Sequence, residues 1–340
     1  MSKKVRFAII GGGMIADFHA RAMAEISDIE LVGVYEPAAK QAEKFSEKFS
    51  IQAFESYDKL LESENIDAVS ICTPSGLHAS QAILAMQHGK HVVMEKPMAI
   101  TSEDARMIVD LSRQTGLKVC VISQFRFSPA IQRVKQEIEK GSFGKVVTAS
   151  LAMNYYRTEE YYNSSDWKGT WAMDGGGALM NQGIHGVDIL QYLMGRVSWV
   201  MASMDTMTRP IETEDMVVAI MKFQNGALGT LQASTTCWPG YQRRTEICGD
   251  KGSIVLEEDR ILKWDLPTAY EESNQAEKAL HATSDPKNIS MENHKVQLED
   301  MARAILLDKT PIVDAVEGKK SVDIILSIYK SARTGQKVDV

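Results

Sequence analysis

Val5-Arg-Phe-Ala-Ile-Ile10-Gly11-Gly-Gly13-Met-Ile-Ala16 decides the fold of this 340-residue chain. A short apolar run stops at three glycines and gives way at once to a helical pattern from Met14 to about Ile26. The spacing Gly11-x-Gly13-x-x-Ala16 alone is a weak sign, but a strand before it and a helix after it make a dinucleotide-binding turn. Gly11 permits the tight turn, Gly13 lets the backbone approach a pyrophosphate, and Ala16 leaves room for helix–strand packing. The amides of Met14 and Ile15 at the helix start would then meet the phosphate charge. Glu36 closes the next apolar run, Leu31–Tyr35, 23 residues after Gly13. A carboxylate at that distance suits a ribose 2′-hydroxyl and repels a 2′-phosphate, which favours NAD over NADP.

Strand and helix patterns keep alternating beyond it. Ala68–Cys72 and His91–Glu95 read as buried strands, Leu77–His88 as a helix, and Lys118–Ser123 as the last strand of the set. Thr101-Ser-Glu-Asp104 is a capping signal for a further helix ending near Gly116. This alternation predicts a doubly wound parallel sheet, an α/β Rossmann domain over residues 1–124. Past Ser128-Pro129 the grammar changes to long strands with hairpin signals at Asn225-Gly226 and Asp250-Lys251-Gly252. Residues 125–340 therefore read as an α+β domain with an open, mainly antiparallel sheet, for substrate binding and oligomerisation. The polar stretch His281–Glu292 reads as a loop, followed by terminal helices over His294–Leu307 and Ser321–Arg333.

Composition bounds the function. A hydrophobic content of 44% with 24% charged residues is ordinary for a globular chain, and a net charge of −7 argues against a general nucleic-acid or anionic-membrane binder. Cys72, Cys120, Cys237 and Cys248 lack paired spacing, so free thiols are expected rather than disulfides or a metal site. The basic start Met-Ser-Lys-Lys-Val-Arg is followed by too short an apolar run for export, and no stretch approaches the ~20 apolar residues of a membrane helix. The expectation is a soluble, cytoplasmic protein.

Two stretches carry chemistry. Glu95-Lys96-Pro97 places a lysine at the end of an apolar strand. Asp174-Gly-Gly-Gly-Ala-Leu-Met-Asn181-Gln-Gly-Ile-His185-Gly-Val-Asp188 opens a helix with Asn181 and His185 four residues apart, hence on one face. Oxidising a secondary alcohol needs a base for the O–H proton and an acceptor for the hydride. His185 is the better-tuned base, with an unperturbed pKa of about 6.5. Lys96 starts near about 10.4 and suits a polarising or relaying role, although the two roles are exchangeable. Thr73-Pro74-Ser-Gly-Leu-His78 follows a strand at the edge where such sheets bind ligands, so Thr73, Pro74 and His78 join Glu95 and Lys96 as expected cofactor contacts. Tyr155, Arg157, Trp167, Asn181 and His185 are expected at the substrate, with Arg126 beside them; aromatic faces suit pyranose rings, and Arg157 with Lys168 suits a carboxylate or diphosphate. Asp188 reads either as a group orienting His185 or as a plain helix carboxylate, and Asp174 as a turn residue.

With these motifs in order, the chain resembles the glucose–fructose oxidoreductase/inositol dehydrogenase/rhizopine catabolism (Gfo/Idh/MocA) family over nearly its whole length. The Tyr161-Tyr162 … Trp167-Lys168-Gly169-Thr170-Trp171 … Asn181-Gln-Gly-Ile-His185 stretch is similar to the sugar-oxidising branch, which includes UDP-N-acetyl-glucosaminuronate 3-dehydrogenases and glycoside 3-dehydrogenases. The resemblance implies a Rossmann domain joined to an open sheet, NAD as cofactor, Lys96 and His185 in catalytic positions, and dimers or tetramers. Inositol-dehydrogenase-like members carry aspartate where this chain has Asn181, which cannot hold a negative charge at neutral pH and so weighs against a cyclitol substrate. The expected function is NAD-dependent oxidation of a ring hydroxyl, at C3, of a nucleotide sugar or glycoside. The alternatives are an inositol or other polyol dehydrogenase, a glycosidase that retains NAD, and a non-catalytic NAD-binding sugar sensor.

Overall fold

The computed structural model describes residues 4–269 and 291–340. The chain divides into two compact units, Met1–Gln124 with Met291–Lys319, and Phe125–Ser290 with Lys320–Val340.

In the first unit, strands β1 (Val5–Ile10), β2 (Ile29–Tyr35), β3 (Gln52–Ala53), β4 (Ala68–Ile71), β5 (His91–Met94) and β6 (Val119–Val121) form one parallel sheet. Its order is β3-β2-β1-β4-β5-β6. β4 is buried at every position, as a central strand covered on both faces must be. The strand order reverses between β1 and β4, and ligands of such sheets bind at the carboxyl ends beside that point. Helices α1 (Met14–Ala24), α2 (Ala39–Phe49), α3 (Tyr57–Leu61), α4 (Ser75–Gln87) and α5 (Ser102–Thr115) connect the strands. Thr101 caps α5 as its sequence suggests, its hydroxyl accepting from the Asp104 amide at 3.1 Å.

The second unit holds α6 (Pro129–Glu139), β7 (Val146–Asn154), α7 (Glu159–Asn163), α8 (Ile184–Met194), β8 (Val197–Asp205), β9 (Met216–Phe223), β10 (Leu228–Ser234), β11 (Arg244–Gly249), β12 (Ser253–Glu257) and β13 (Arg260–Asp265). Helix α9 (Glu292–Leu306) belongs to the first unit, α10 (Ala315–Thr334) runs from the first into the second, and β14 (Val338–Asp339) completes the second unit's sheet. That sheet has the order β13-β12-β11-β7-β10-β9-β8-β14. Its pairs are antiparallel except β7 with β10, which run parallel. β9 shows why one face is core: Val217, Ala219, Met221 and Phe223 alternate inward while Val218 and Ile220 point out. On the core face lies α8, close enough that a Cβ at Gly186 would meet Met153 Sδ at 2.5 Å.

The structure corrects the expected second domain, 125–340. Residues 291–319 fall to the first unit, because α9 buries Leu298, Met301 and Ala302 among Val5, Phe7 and Ile9 of that unit's core. Chain order suggested otherwise; apolar burial decides it. Of the stretch His281–Glu292, read as a loop, all but its last two residues lie outside the described residues; Met291 precedes α9 and Glu292 begins it.

Candidate active site

In the first unit, Gly11, Glu36, Thr73 and Lys96 follow β1, β2, β4 and β5 and so line the sheet's carboxyl edge. Gly11 needs to be glycine: its φ is +96°, and a Cβ there would lie 2.7 Å from the Cys72 carbonyl oxygen. Gly13 is exposed, and a Cβ on it would meet nothing within 4 Å. No side chain caps α1 behind it, so the first amides of that helix, with Met14 half-exposed, adjoin open space fit for a phosphate. Glu36 stands against this loop, accepting from the Gly12 amide at 2.8 Å and the Ala38 amide at 3.0 Å. Gln41 donates to the Gly12 carbonyl at 2.7 Å. The loop is an open backbone cradle bordered by the Glu36 carboxylate.

Lys96, half-buried, sits on a turn anchored from both sides. On one side, the Glu95 carboxylate meets His19 Nε2 at 3.1 Å and accepts from the Lys96 amide at 3.2 Å, while His19 Nδ1 meets Ser70 Oγ at 2.8 Å. Burial opposes the charge on His19, but Cys72 and Glu95 outweigh it and push the imidazole up to about 10. Burial likewise opposes the charge on Glu95, and the His19 hydrogen bond and charge hold it down at about 2. The two form a buried ion pair, joined by His294 of α9, whose ring centroid is 5.9 Å from that of His19. A ring nitrogen of His19, a carboxylate oxygen of Glu95 and a ring nitrogen of His294 lie within 4.8 Å of one another. On the other side, His78 spans the Pro97 carbonyl at 2.7 Å and the Thr73 carbonyl at 2.8 Å. Burial lowers its pKa and the two carbonyls only partly offset this.

In the second unit, Asn181 lies in a π-helical segment, Ala178–Gly183, that runs into α8 bearing His185. Wider helical turns of this kind recur at functional sites. Asn181 donates to Asp174 Oδ1 at 2.5 Å and accepts from Gln182 Nε2 at 3.0 Å. Asp174 also takes the Gly169 amide at 2.9 Å, so it orders two segments where the sequence suggested a turn residue. Gln182 reaches Tyr161 Oη at 2.8 Å and accepts from Arg157 at 2.9 Å. The Arg157 guanidinium and the Lys168 ammonium lie 5.6 and 4.3 Å from the same Tyr161 ring. His185, half-buried, meets the Phe125 ring edge-on at 5.3 Å, and Arg243 lies 4.5 Å over that same ring.

Four expected contacts need correction. Arg126, expected at the substrate, is 1% exposed and forks onto Asp188 at 2.8 and 2.7 Å. Asp188 also accepts from Ser321 at 3.1 Å, so it holds Arg126 rather than His185. Tyr155 is buried in the core, its hydroxyl 3.4 Å from Glu258. Glu95 and His78, expected on the cofactor, instead commit their side chains to the interior bonds above. Trp167 is half-buried beside Lys168, whose ammonium is 6.0 Å from its ring. Tyr161, Gln182, Phe125 and Arg243 stand beyond the contacts expected from the sequence, and the aromatic Tyr161–Trp171 stretch is the one signal that points to any of them. Nothing local marks Arg243 as a neighbour of Phe125.

Comparison with known proteins bears on both units. Residues 5–123 match the model of the oxidoreductase family, NAD-binding Rossmann fold, and residues 131–255 that of the GFO/IDH/MocA C-terminal domain. The chain is 26% identical to scyllo-inositol 2-dehydrogenase (NAD(+)) of Bacillus subtilis (strain 168), covering 100% of this chain and 97% of the relative. It is 25% identical to D-glucoside 3-dehydrogenase of Escherichia coli (strain K12), covering 100% and 98%. Among solved structures, the WlbA dehydrogenase from Bordetella pertussis in complex with NADH and UDP-GlcNAcA superposes with a TM-score of 0.91 at 31% identity, covering 100% of this chain and 99% of that one. Among the described residues, no helix is long and apolar enough to cross a membrane.

Proposed function

Because this chain belongs to the Gfo/Idh/MocA family of NAD-binding sugar and polyol dehydrogenases, we propose that it oxidises a secondary ring hydroxyl, at C3, of an acidic nucleotide sugar. The observation that carries this reading is the placement of Arg157 and Lys168 on the Tyr161 ring, with Arg157 joined through Gln182 to Asn181. Two cations beside an aromatic face suit a ring bearing a carboxylate or diphosphate. Burial lowers the Lys168 pKa, Asp174 pulls it back up, and Arg157 adds to the lowering. An anion between the two cations would relieve that repulsion.

The glycine turn and Glu36 would hold NAD, which when bound would supply the hydride acceptor. His185 takes the hydroxyl proton, Lys96 polarises the oxygen and relays the proton, and Asn181 holds a neighbouring hydroxyl. Asn181 suits that task because Asp174 and Gln182 fix its amide in one orientation. Arg126 takes no part, its guanidinium being bound to Asp188.

The exposed face of the second unit's sheet carries Val147, Met201, Val218, Ile220 and Leu228, each 45–56% exposed. An apolar face of this kind supports face-to-face dimers.

The test is NADH formation, followed by its near-ultraviolet absorbance, against UDP-sugar uronates, neutral UDP-sugars, glycosides and inositols. Turnover with the uronate several-fold above the rest is expected. Inositol as the best substrate would replace this reading with that of a polyol dehydrogenase.

A further inference from the structure

We infer that Glu214 is a positioning residue for the site: its carboxylate, with Tyr329, sets the pose of the segment that bears Asn181 and His185. This deepens the dehydrogenase reading above and rests on it.

A helix begins with four amides that have no partner within it. For the segment starting at Gly177, one distant residue accounts for nearly all of them. Glu214 Oε2 accepts from the Gly177 amide at 2.9 Å and Oε1 from the Leu179 amide at 2.8 Å. The Glu214 backbone carbonyl accepts from the Ala178 amide at 2.9 Å. The fourth, that of Met180, goes to the Tyr329 hydroxyl at 3.1 Å, which in turn donates to Glu214 Oε1 at 2.8 Å. Asn181 is the next residue.

The approach is so close that side chains are excluded. A Cβ at Gly177 would fall 1.9 Å from the Glu214 carbonyl oxygen, and one at Gly176 would fall 2.2 Å from Tyr329 Oη. The glycines are therefore contact surfaces for Glu214 and Tyr329 as well as a turn. A carboxylate is well placed here, since the positive end of the helix favours it.

Glu214 is 2% exposed. Burial pushes its carboxyl up to about 7, against the pull of the amides and of Tyr329. Protonation would remove the negative charge and place a proton on one of these oxygens, which weakens its acceptance from the amide it faces. Tyr329 remains a donor throughout, raised well above 10 by burial and by Glu214. The other titratable groups around the cluster are Tyr162, Asp174 and Asp215, with Arg333 lying 5.9 Å from the Tyr329 ring. Among these, the carboxylates favour the protonated form of Glu214 and Arg333 opposes it.

The experiment combines kinetics with hydrogen exchange on the full chain, comparing wild type, Glu214→Gln and Tyr329→Phe. Misplacing reacting groups by about 1 Å can cost ~10²-fold in rate, so a fall in kcat approaching that size is expected for Glu214→Gln, with NAD affinity unchanged because the glycine turn is untouched. Amides 177–185 should exchange faster in Glu214→Gln and, to a smaller extent, in Tyr329→Phe. In wild type the same amides, corrected for intrinsic rates, should lose protection as pH falls through about 7, a response Glu214→Gln lacks. Unchanged exchange and unchanged kcat in both variants would overturn the inference. Exchange needs no substrate, so a wild-type protein that reduces no NAD would sink the dehydrogenase reading while the exchange result still judges Glu214.

Discussion

Asn181 hands its amide proton to Asp174 at 2.5 Å, and the contact fixes the amide against a carboxylate. Asparagine can donate to a carboxylate where a second carboxylate could only repel it.

Asn181→Asp is therefore expected to put two carboxylates in contact and raise the pKa of one of them. A carboxyl raised on folding contributes stability at low pH that is lost as pH rises through its folded pKa. The variant should melt close to wild type at acid pH and fall progressively below it towards pH 8, by about 1–3 kcal/mol. Thermal melts across that range check this, and a deficit independent of pH would contradict it.

Lys96→Ala should leave NAD affinity nearly intact and lower kcat by at least ~10²-fold, the usual scale for a lost proton-transfer or electrostatic group. Intrinsic fluorescence reads the first and NADH formation the second. Near-normal turnover would remove the lysine from the mechanism.

Glu36→Ser removes the charge beside the Gly12 amide. Discrimination against NADP should fall by about tenfold or more, since a 2′-phosphate no longer meets a carboxylate. The ratio of kcat/KM for the two cofactors measures it directly, and an unchanged ratio would place the ribose elsewhere.

His19→Ala leaves Glu95 buried without its cation, a loss of about 3–5 kcal/mol by urea unfolding. The sign follows from both partners. Glu95, lowered from 4.5 to about 2, contributes stability above pH 4.5 that is lost on acidification. His19, raised from 6.5 to about 10, contributes stability below pH 6.5 that is lost as pH climbs towards 10. The difference between variant and wild type should be largest between those limits and shrink on either side.

The parallel unit was legible in the sequence because its signals are local. The β1 strand and the glycine loop occupy twelve consecutive residues, Val5–Ala16, and each short apolar run is bounded by its own turn. Thr101 announces α5 in the same way. Short elements such as α3, α7 and β14 escaped, being too brief for a periodic pattern to declare itself.

Residue types and their spacing therefore settled the fold class and supplied the expected cofactor loop and the proposed shortlist of Lys96, Asn181 and His185. Three-dimensional packing alone assigned α9 to the first unit, paired Arg126 with Asp188, buried His19 beside Glu95, and brought Glu214 and Tyr329 onto Gly177–Met180. The reason is physical. A backbone turn is dictated by the few residues that form it, whereas a buried charge or an orphan amide must find its partner wherever the chain returns, and that partner leaves no trace in the neighbouring sequence.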